Sequence, residues 1–132
     1  MKNIWLLSVI ALVLSGTFLV SATSCGSRRA KAVDTLKVNT TGLCDDIIGF
    51  NGPTPVEISI VDGVVTGIKA LPNQETPRFF QRVLDGGLLE KLNGLTVEEA
   101  RQTELDAVTG ATFSSNALIG NIRRGLDSLQ VR

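Results

Sequence analysis

Residues 106–112 bring an acid, a glycine, two alanines and two threonines together in one short segment. They precede a stretch with helical spacing of apolar residues, so we expect Thr112 close to a helix start. The N–H groups and the dipole of a helix N-terminus attract an anion, above all a phosphate, and Gly110 and Ala111 let it approach closely. Nearby hydroxyls are supplied by Thr109, Thr112, Ser114 and Ser115. These features fit a phosphate site, but on their own they favour an ordinary helix capped by Ser or Thr.

The composition excludes several catalytic mechanisms. The chain of 132 residues contains no His, so it can form no Ser-His-Asp triad, no Cys-His pair and no His-ligated metal site. Its two Cys residues are too few for a Cys-rich zinc or iron–sulfur site, and no metal site is expected. The formal net charge is zero, which gives no electrostatic attraction for nucleic acid. These absences favour a protein that binds or carries a cofactor, or an enzyme whose reactive group is not one of its own side chains.

Residues 1–24 have the layout of a secretory signal peptide. Lys2 gives a positive start, residues 4–20 are almost wholly apolar, and small residues lead up to Cys25. The sequence Ala-Thr-Ser-Cys resembles a bacterial lipobox, with Ala22 where Leu is usual. We therefore favour an exported lipoprotein held by a lipid on Cys25 at the bacterial cell membrane or a periplasm-facing membrane. The alternatives are cleavage after Ala22, giving a secreted soluble protein, and an uncleaved anchor, which needs about 20 apolar residues.

Residues 25–40 are predicted to form a polar, lipid-anchored tether. If Cys25 carries the lipid, Cys44 is a lone thiol and is expected to be buried. Otherwise the two cysteines could form a disulfide, as exported proteins commonly do. The remaining residues, 41–132, are enough for one domain.

That domain is predicted to contain strands early in the sequence. Residues 56–60 alternate apolar and polar side chains, and Asp62 with Gly63 favours a two-residue hairpin turn. Residues 64–71 alternate again, and a weaker pattern marks a strand at residues 36–40. The second strand of the hairpin is expected to place on one face Val64, Thr66, Ile68 and Ala70.

Helices are predicted to dominate the later part, over residues 78–84, 88–92, 97–101 and 114–129. Thr76 precedes a proline suited to a first helical position, and Thr96 with an acid three residues later fits a capping box. Ser114 or Ser115 is expected to cap the last helix. Its inward face carries Leu118, Ile122, Leu126 and Leu129. The predicted fold class is α+β, a small antiparallel sheet with a central β-hairpin packed against helices.

The pattern Asp-x-x-Thr-Gly-Ala-Thr at residues 106–112 resembles the flavinylation motif of the FMN-binding domain family. That family includes the periplasmic FMN-bearing subunits of the sodium-translocating NADH:quinone oxidoreductase and of the Rnf electron-transport complex. Two more elements are similar in the same order, the Gly-rich turn at residues 49–53 and the Glu-Thr-Pro at residues 75–77. The chain departs from the family pattern at Asn73, where His is frequent, and at Arg78, where Gly is frequent.

The resemblance implies that FMN is a covalent cofactor, attached through its phosphate to Thr112. A threonine hydroxyl is a weak nucleophile without a base, and the chain has no His to activate it. We therefore expect an external FAD:protein FMN transferase to install the FMN with the help of magnesium, and Asp106 to be recognised by that enzyme or to approach its metal during the transfer. Further cofactor contacts are expected from Thr109, Gly110, Ala111, Ser114, Ser115, Glu75 and Thr76. Four phenylalanines are candidates to line the flavin ring, although each is more often a core residue: Phe50, Phe79, Phe80 and Phe113.

Residues 41–132 are thus predicted to be an FMN-binding domain in an exported, membrane-tethered flavoprotein. It would pass electrons between a donor and an acceptor protein, neither of which the sequence identifies. No substrate pocket is recognisable, which favours an electron carrier over a self-sufficient enzyme. Two alternatives remain open: a lipoprotein that binds FMN non-covalently in a sensory or structural role, and an FMN-dependent reductase of a small extracellular substrate.

Overall fold

Three antiparallel strands and three helices make up the α+β fold seen in the computed structural model, which describes residues 32–131. The strands are β1 (Thr35–Asn39), β2 (Val56–Val61) and β3 (Val64–Ala70), and they lie in the order β1-β2-β3. The predicted fold class is therefore confirmed. β1 belongs to the segment expected to form the tether, so the sheet takes its first strand from there. The predicted signal peptide and Cys25 lie outside the described residues.

The hairpin between β2 and β3 turns through two residues, as predicted. Asp62 has φ 49° and Gly63 has φ 79°, and a two-residue turn with both residues in the left-handed region matches the twist of the strands. A β-bulge follows in β3, because Ile60 pairs with Val65 whereas its neighbour Ser59 pairs with Gly67.

Because of the bulge, the face of β3 that packs against the core differs from the prediction. Thr66 is the extra residue, and it is exposed, whereas Val65 is fully buried. Ile68 and Ala70, beyond the bulge, pack against the core as expected. Val64 and Thr66 were predicted to lie on the same face of β3 as Ile68 and Ala70. This prediction is wrong, because one inserted residue reverses the alternation of side chains along the strand.

The helices are α1 (Pro77–Asp85), α2 (Val97–Gln102) and α3 (Thr112–Asp127), with 3-10 turns at Glu90–Leu92 and Ser128–Val131. Thr96 forms the predicted capping box: its hydroxyl accepts from the Glu99 N–H at 3.3 Å, and the Glu99 carboxylate accepts from the Thr96 N–H at 2.9 Å. Thr76 is the N-cap of α1 by backbone position, but its side chain makes no capping hydrogen bond.

Helix α3 begins two residues earlier than predicted. Gly110 has φ 82°, a conformation that suits glycine, and the chain enters the helix at Thr112 directly afterwards. The N-cap position falls on Ala111, which has no side chain able to cap. The prediction that Ser114 or Ser115 caps the helix is therefore wrong; both side chains are buried within its first turns.

The core lies between the sheet and the helices. α3 contacts β1 and β2, whereas α2 and the Glu90–Leu92 turn contact β3. The inward face of α3 is as predicted at Leu118, Ile122 and Leu126, which are fully buried. Leu129 packs against the core as well, but it lies beyond the end of α3 in the 3-10 turn that follows. Among the described residues, no helix has both the length and the apolar character needed to cross a membrane.

Cys44 is buried, as expected, and its thiol is free among the described residues. Burial raises the pKa of this thiol, although the Arg124 charge opposes the effect. A raised pKa keeps the sulfur protonated at neutral pH, so Cys44 is a small apolar core residue.

Gly125 lets α3 approach the sheet closely. A methyl group built there would come within 2.9 Å of both Ile58 Cδ1 and Thr40 Cγ2. Thr40 is fully buried; its hydroxyl donates to Asn121 Oδ1 at 3.0 Å and accepts from the Val56 N–H at 2.9 Å. Because two hydrogen bonds hold Thr40 in place, it cannot turn away from a larger neighbour.

We expect Gly125→Ala to lower the free energy of unfolding by up to about 2 kcal/mol, since overpacking a core costs about 1–3 kcal/mol. That cost outweighs the gain of about 1 kcal/mol that alanine gives in an exposed helix. Urea unfolding measures the change. The control is Gly67→Ala, where nothing lies within 4 Å of the added methyl. A more stable Gly125→Ala protein would contradict the close packing.

Candidate functional site

Thr112 is the first residue of α3, and its side chain is exposed. The first N–H groups of a helix have no partner within the helix, so they are free to bind an anion placed over the N-terminus. Thr112 therefore presents a hydroxyl at the end of the longest helix in the described chain.

Ser115 fixes the turn that leads into this helix. Its hydroxyl accepts from the Val108 N–H at 3.0 Å and donates to the Ala111 carbonyl at 2.9 Å. The Ala111 N–H in turn donates to the Val108 carbonyl at 3.0 Å. The conformation of the turn is thus tied to the first turns of α3, which limits the movement of Thr112.

Glu75 connects the other side of the site to α3. This side chain is 6% exposed. Its Oε1 accepts from the Asn51 N–H at 2.8 Å, and its Oε2 accepts from the Ser114 hydroxyl. Gly49 leaves room for the carboxylate, because a methyl group there would come within 2.6 Å of Oε1. Glu75 therefore joins the Gly-rich turn, the chain before α1 and the first turn of α3.

These hydrogen bonds determine the charge state of Glu75. Burial alone would raise its pKa, but the hydrogen bond from the Ser114 hydroxyl and those from the N–H groups of Asn51, Phe50 and Gly52 outweigh it. The pKa is therefore below its ordinary value, and Glu75 is ionised at neutral pH. A buried negative charge that is fully hydrogen-bonded can be stable in a fold.

An open cavity of about 220 Å³ lies in front of Thr112. It is lined by six of the residues singled out from the sequence: Glu75, Thr76, Gly110, Ala111, Thr112 and Ser114. Thr76 accepts a hydrogen bond from the Asn51 side chain at 3.0 Å. Drug-sized ligands usually occupy about 300–1,000 Å³, so this cavity suits part of such a ligand while the rest stays in solvent.

Three aromatic rings surround the mouth of the cavity. Phe50, Phe79 and Phe113 are 66%, 42% and 71% exposed and line it, whereas Phe80 is buried in the core. The view that each phenylalanine is more often a core residue is thus wrong for three of the four. Exposed rings around a concave site offer flat apolar faces to a planar aromatic ligand. Together with the helix N-terminus, they fit a ligand that has an aromatic ring system at one end and a phosphate at the other.

The remaining candidate residues lie outside the cavity. Asp106 and Thr109 are exposed on the preceding turn, and Ser115 is buried beneath it. No group of three or more potential metal ligands occurs in the described part of the chain.

Two residues at the site were not identified from the sequence. Asn51 appeared only as part of a turn cluster, although it contacts both Glu75 and Thr76. Arg82, in the last turn of α1, lies against Gly110: a methyl group on this glycine would come within 2.6 Å of Arg82 Nη1. From the sequence, Arg82 is recognisable only as a basic residue near the C-terminus of a helix, where it interacts favourably with the helix dipole. Proximity to residue 110 depends on how α1 packs, which no local pattern reveals.

We expect Glu75→Gln to lower the free energy of unfolding by about 1–2 kcal/mol at pH 7, because an amide replaces a carboxylate that accepts charge-assisted hydrogen bonds. The folded-state pKa is lowered, so the ionised form adds stability above the unfolded pKa of roughly 4.3. This stability is lost as the pH falls through the folded value. The difference in the free energy of unfolding between the wild type and Glu75→Gln should therefore decrease below about pH 4.

Urea unfolding across this pH range measures the effect. Glu104→Gln, which alters an exposed acid, is the matched control and should change stability little at any pH. A loss in Glu75→Gln that stays constant with pH would contradict the role of the ionised carboxylate.

Comparison with known proteins agrees with this arrangement. A search of curated proteins found no significant match. In contrast, the sequence model of the FMN-binding domain family matches residues 49–127. The match extends from the Gly-rich turn through Glu75 and Thr112 to the end of α3, and it covers more than half of the chain. A flavin with a phosphate end also fits the aromatic rings and the helix N-terminus of the site. The chain therefore belongs to the FMN-binding domain family, and FMN is its cofactor.

Proposed function

We propose that the protein carries FMN covalently on Thr112 and transfers electrons outside the cytoplasm. The supporting observation is the position of Thr112, an exposed hydroxyl at a helix N-terminus in front of a cavity bordered by aromatic rings. When bound, FMN supplies the redox chemistry, and the protein supplies its orientation and its electrostatic surroundings.

The geometry favours Thr112 over the neighbouring hydroxyls as the attachment point. The Ser114 hydroxyl is buried and donates to Glu75, and the Ser115 hydroxyl is buried and holds the turn. Thr109 is exposed but does not line the cavity. Of these four residues, Thr112 alone combines an exposed side chain with a place in the cavity lining.

The attachment step is a phosphoryl transfer from FAD. The Thr112 hydroxyl oxygen forms a bond to the phosphorus of the FMN half, the pyrophosphate bond breaks, and AMP leaves with the bonding electron pair. The hydroxyl proton passes to a base on the transferase, since this chain has no His and its buried Glu75 is already hydrogen-bonded to Ser114. Asp106, exposed six residues before Thr112, is the residue we propose for recognition by the transferase.

A covalent bond suits a flavoprotein outside the cytoplasm. Free FMN is scarce there, so a reversible site would tend to lose its cofactor, whereas a tether keeps the flavin at a high effective concentration. The shallow cavity would leave much of the ring near the surface, where redox partner proteins can approach it. These features support an electron carrier over a reductase, which would need a separate substrate site.

We expect Thr112→Ala to abolish covalent flavin when the protein is co-expressed with a competent transferase and exported. Fluorescence under ultraviolet light after denaturing electrophoresis measures the bound flavin, and intact mass confirms it. Thr112→Ser keeps the hydroxyl and should keep the flavin.

Thr41→Ala is the matched control, because it removes an exposed hydroxyl outside the 106–112 motif and the cavity lining and should leave attachment intact. Flavin retained on denatured Thr112→Ala would rule out this attachment site. A wild-type protein without covalent flavin would instead favour the alternative of a sensory or structural lipoprotein that binds FMN reversibly. Steady turnover of a small substrate by the isolated protein would favour the reductase.

We further propose that a lipid on Cys25 holds the domain at the outer surface of the membrane. Support comes from the lipobox-like Ala-Thr-Ser-Cys sequence and the polar residues after it. The first strand starts at Thr35, and a linker of about nine residues spans at most roughly 30 Å when fully extended. Such a tether would confine the flavin to the zone where membrane-bound redox partners operate.

We expect Cys25→Ser to release the protein from the membrane fraction into the soluble exported fraction, because it removes the acceptor for the lipid. Mass spectrometry of the mature N-terminus provides the direct measurement: the wild-type chain should begin with a lipidated Cys25. Cys44→Ser, which alters the buried thiol, should remain membrane-bound. A wild-type chain that begins at another residue and carries no lipid would contradict the anchor.

A further inference from the structure

We propose that Arg82 is the protein's positive counter-charge for the FMN phosphate on Thr112. This inference rests on the proposed function, since it takes the phosphate to be attached there. It assigns to α1 a part in cofactor binding, and the position of the Arg82 guanidinium is its first support.

The guanidinium lies directly against the attachment turn. A methyl group on Gly110 would come within 2.6 Å of Arg82 Nη1, so the guanidinium lies close to this glycine, whose φ of 82° favours a residue without a side chain. Gly110 and Thr112 are two residues apart, so their Cα atoms are at most about 7.6 Å from each other. Arg82 is therefore within side-chain reach of the attachment oxygen.

The charge of Arg82 has no acidic partner in the described part of the chain. The ion pairs found there involve three other basic residues, Lys37, Arg101 and Arg124. Arg82 is exposed, and its guanidinium nevertheless lies on the backbone of the turn instead of next to a carboxylate.

A phosphate at Thr112 would match this unpaired charge. After attachment, the phosphorus is bonded to the ribityl oxygen and to the threonine oxygen, and the group keeps one negative charge. Arginine offers a planar set of donors that suits phosphate oxygens. The N–H groups of the first turn of α3 and the Arg82 guanidinium would then share the neutralisation of one anion.

A second role for Arg82 makes a different prediction. In the last turn of α1 it also compensates the negative end of that helix dipole. If Arg82 had this role alone, replacing it would change the stability of the protein but would leave the surroundings of a phosphate on Thr112 unchanged. A measurement on the phosphorus itself separates the two roles.

The experiment is 31P nuclear magnetic resonance of the full-length flavinylated protein. We expect Arg82→Gln to move the phosphodiester resonance of the attached FMN towards its position in the denatured protein. Arg82→Lys, which keeps the charge without the planar donors, should move it less. Arg123→Gln is the matched control, because it removes an exposed charge on α3 about 16 Å along the helix from Thr112.

Rising salt should reduce the difference between wild type and Arg82→Gln, since the charge pair is at the surface. A resonance that Arg82→Gln leaves in place, or that Arg123→Gln moves as far, would overturn the proposal. A variant Arg82→Gln that is never flavinylated while Arg82→Lys is would assign Arg82 to recognition by the transferase, and would also overturn it. Intact mass is measured on every sample, so a wild type without covalent FMN shows that the attachment proposal has failed, independently of Arg82.

Discussion

The buried carboxylate of Glu75 is the interaction on which the site depends. An ionised group with 6% exposure is tolerated inside a protein when hydrogen bonds replace the lost water. Here the donors come from two separate parts of the chain, the Gly-rich turn through Asn51 and the first turn of α3 through Ser114. Because these parts are 24 and 39 residues from Glu75 along the sequence, one side chain sets the distance between the two walls of the cavity.

Close backbone approach is the second constraint, and glycines provide it at different points. Gly125 allows α3 to lie against Ile58 and Thr40, which fixes the helix on the sheet. Gly49 makes room for the buried Glu75 carboxylate. The position of the α3 N-terminus thus results from contacts along the whole helix, so changes far from the cavity can alter the geometry at Thr112.

The sequence predicted the elements that follow from local rules. The hairpin turn at Asp62, the capping box at Thr96 and the apolar face of α3 each depend on neighbours within a few residues, and all three were confirmed. The bulge at Thr66 was missed because an inserted residue is visible only in the pairing with β2. The helix start was misplaced because its N-cap is Ala111, which gives no capping signal.

The site was also predicted only in part, because local patterns reveal its motif but not the tertiary contacts around it. The motif identified the turn and the cavity-lining residue Thr112. Ser114 was noted as a nearby hydroxyl, but the sequence could not show that it donates to Glu75. The exposure of Phe50, Phe79 and Phe113 was missed, since aromatic residues are usually buried and only tertiary structure reveals a ring left at the surface. Arg82 needed the packing of α1 against the turn before it could be noticed.

The placement of Thr112 within α3 also limits the directions available to anything bonded to it. Threonine is branched at Cβ, and in a helix such a side chain has few rotamers. A bond through its oxygen would therefore leave the helix along a small number of paths, on an element that the core holds fixed. A serine could form the same bond, but its unbranched side chain has more rotamers, so the bonded group could leave the helix in more directions. The branched side chain therefore narrows the directions in which a group bonded to this oxygen could leave α3.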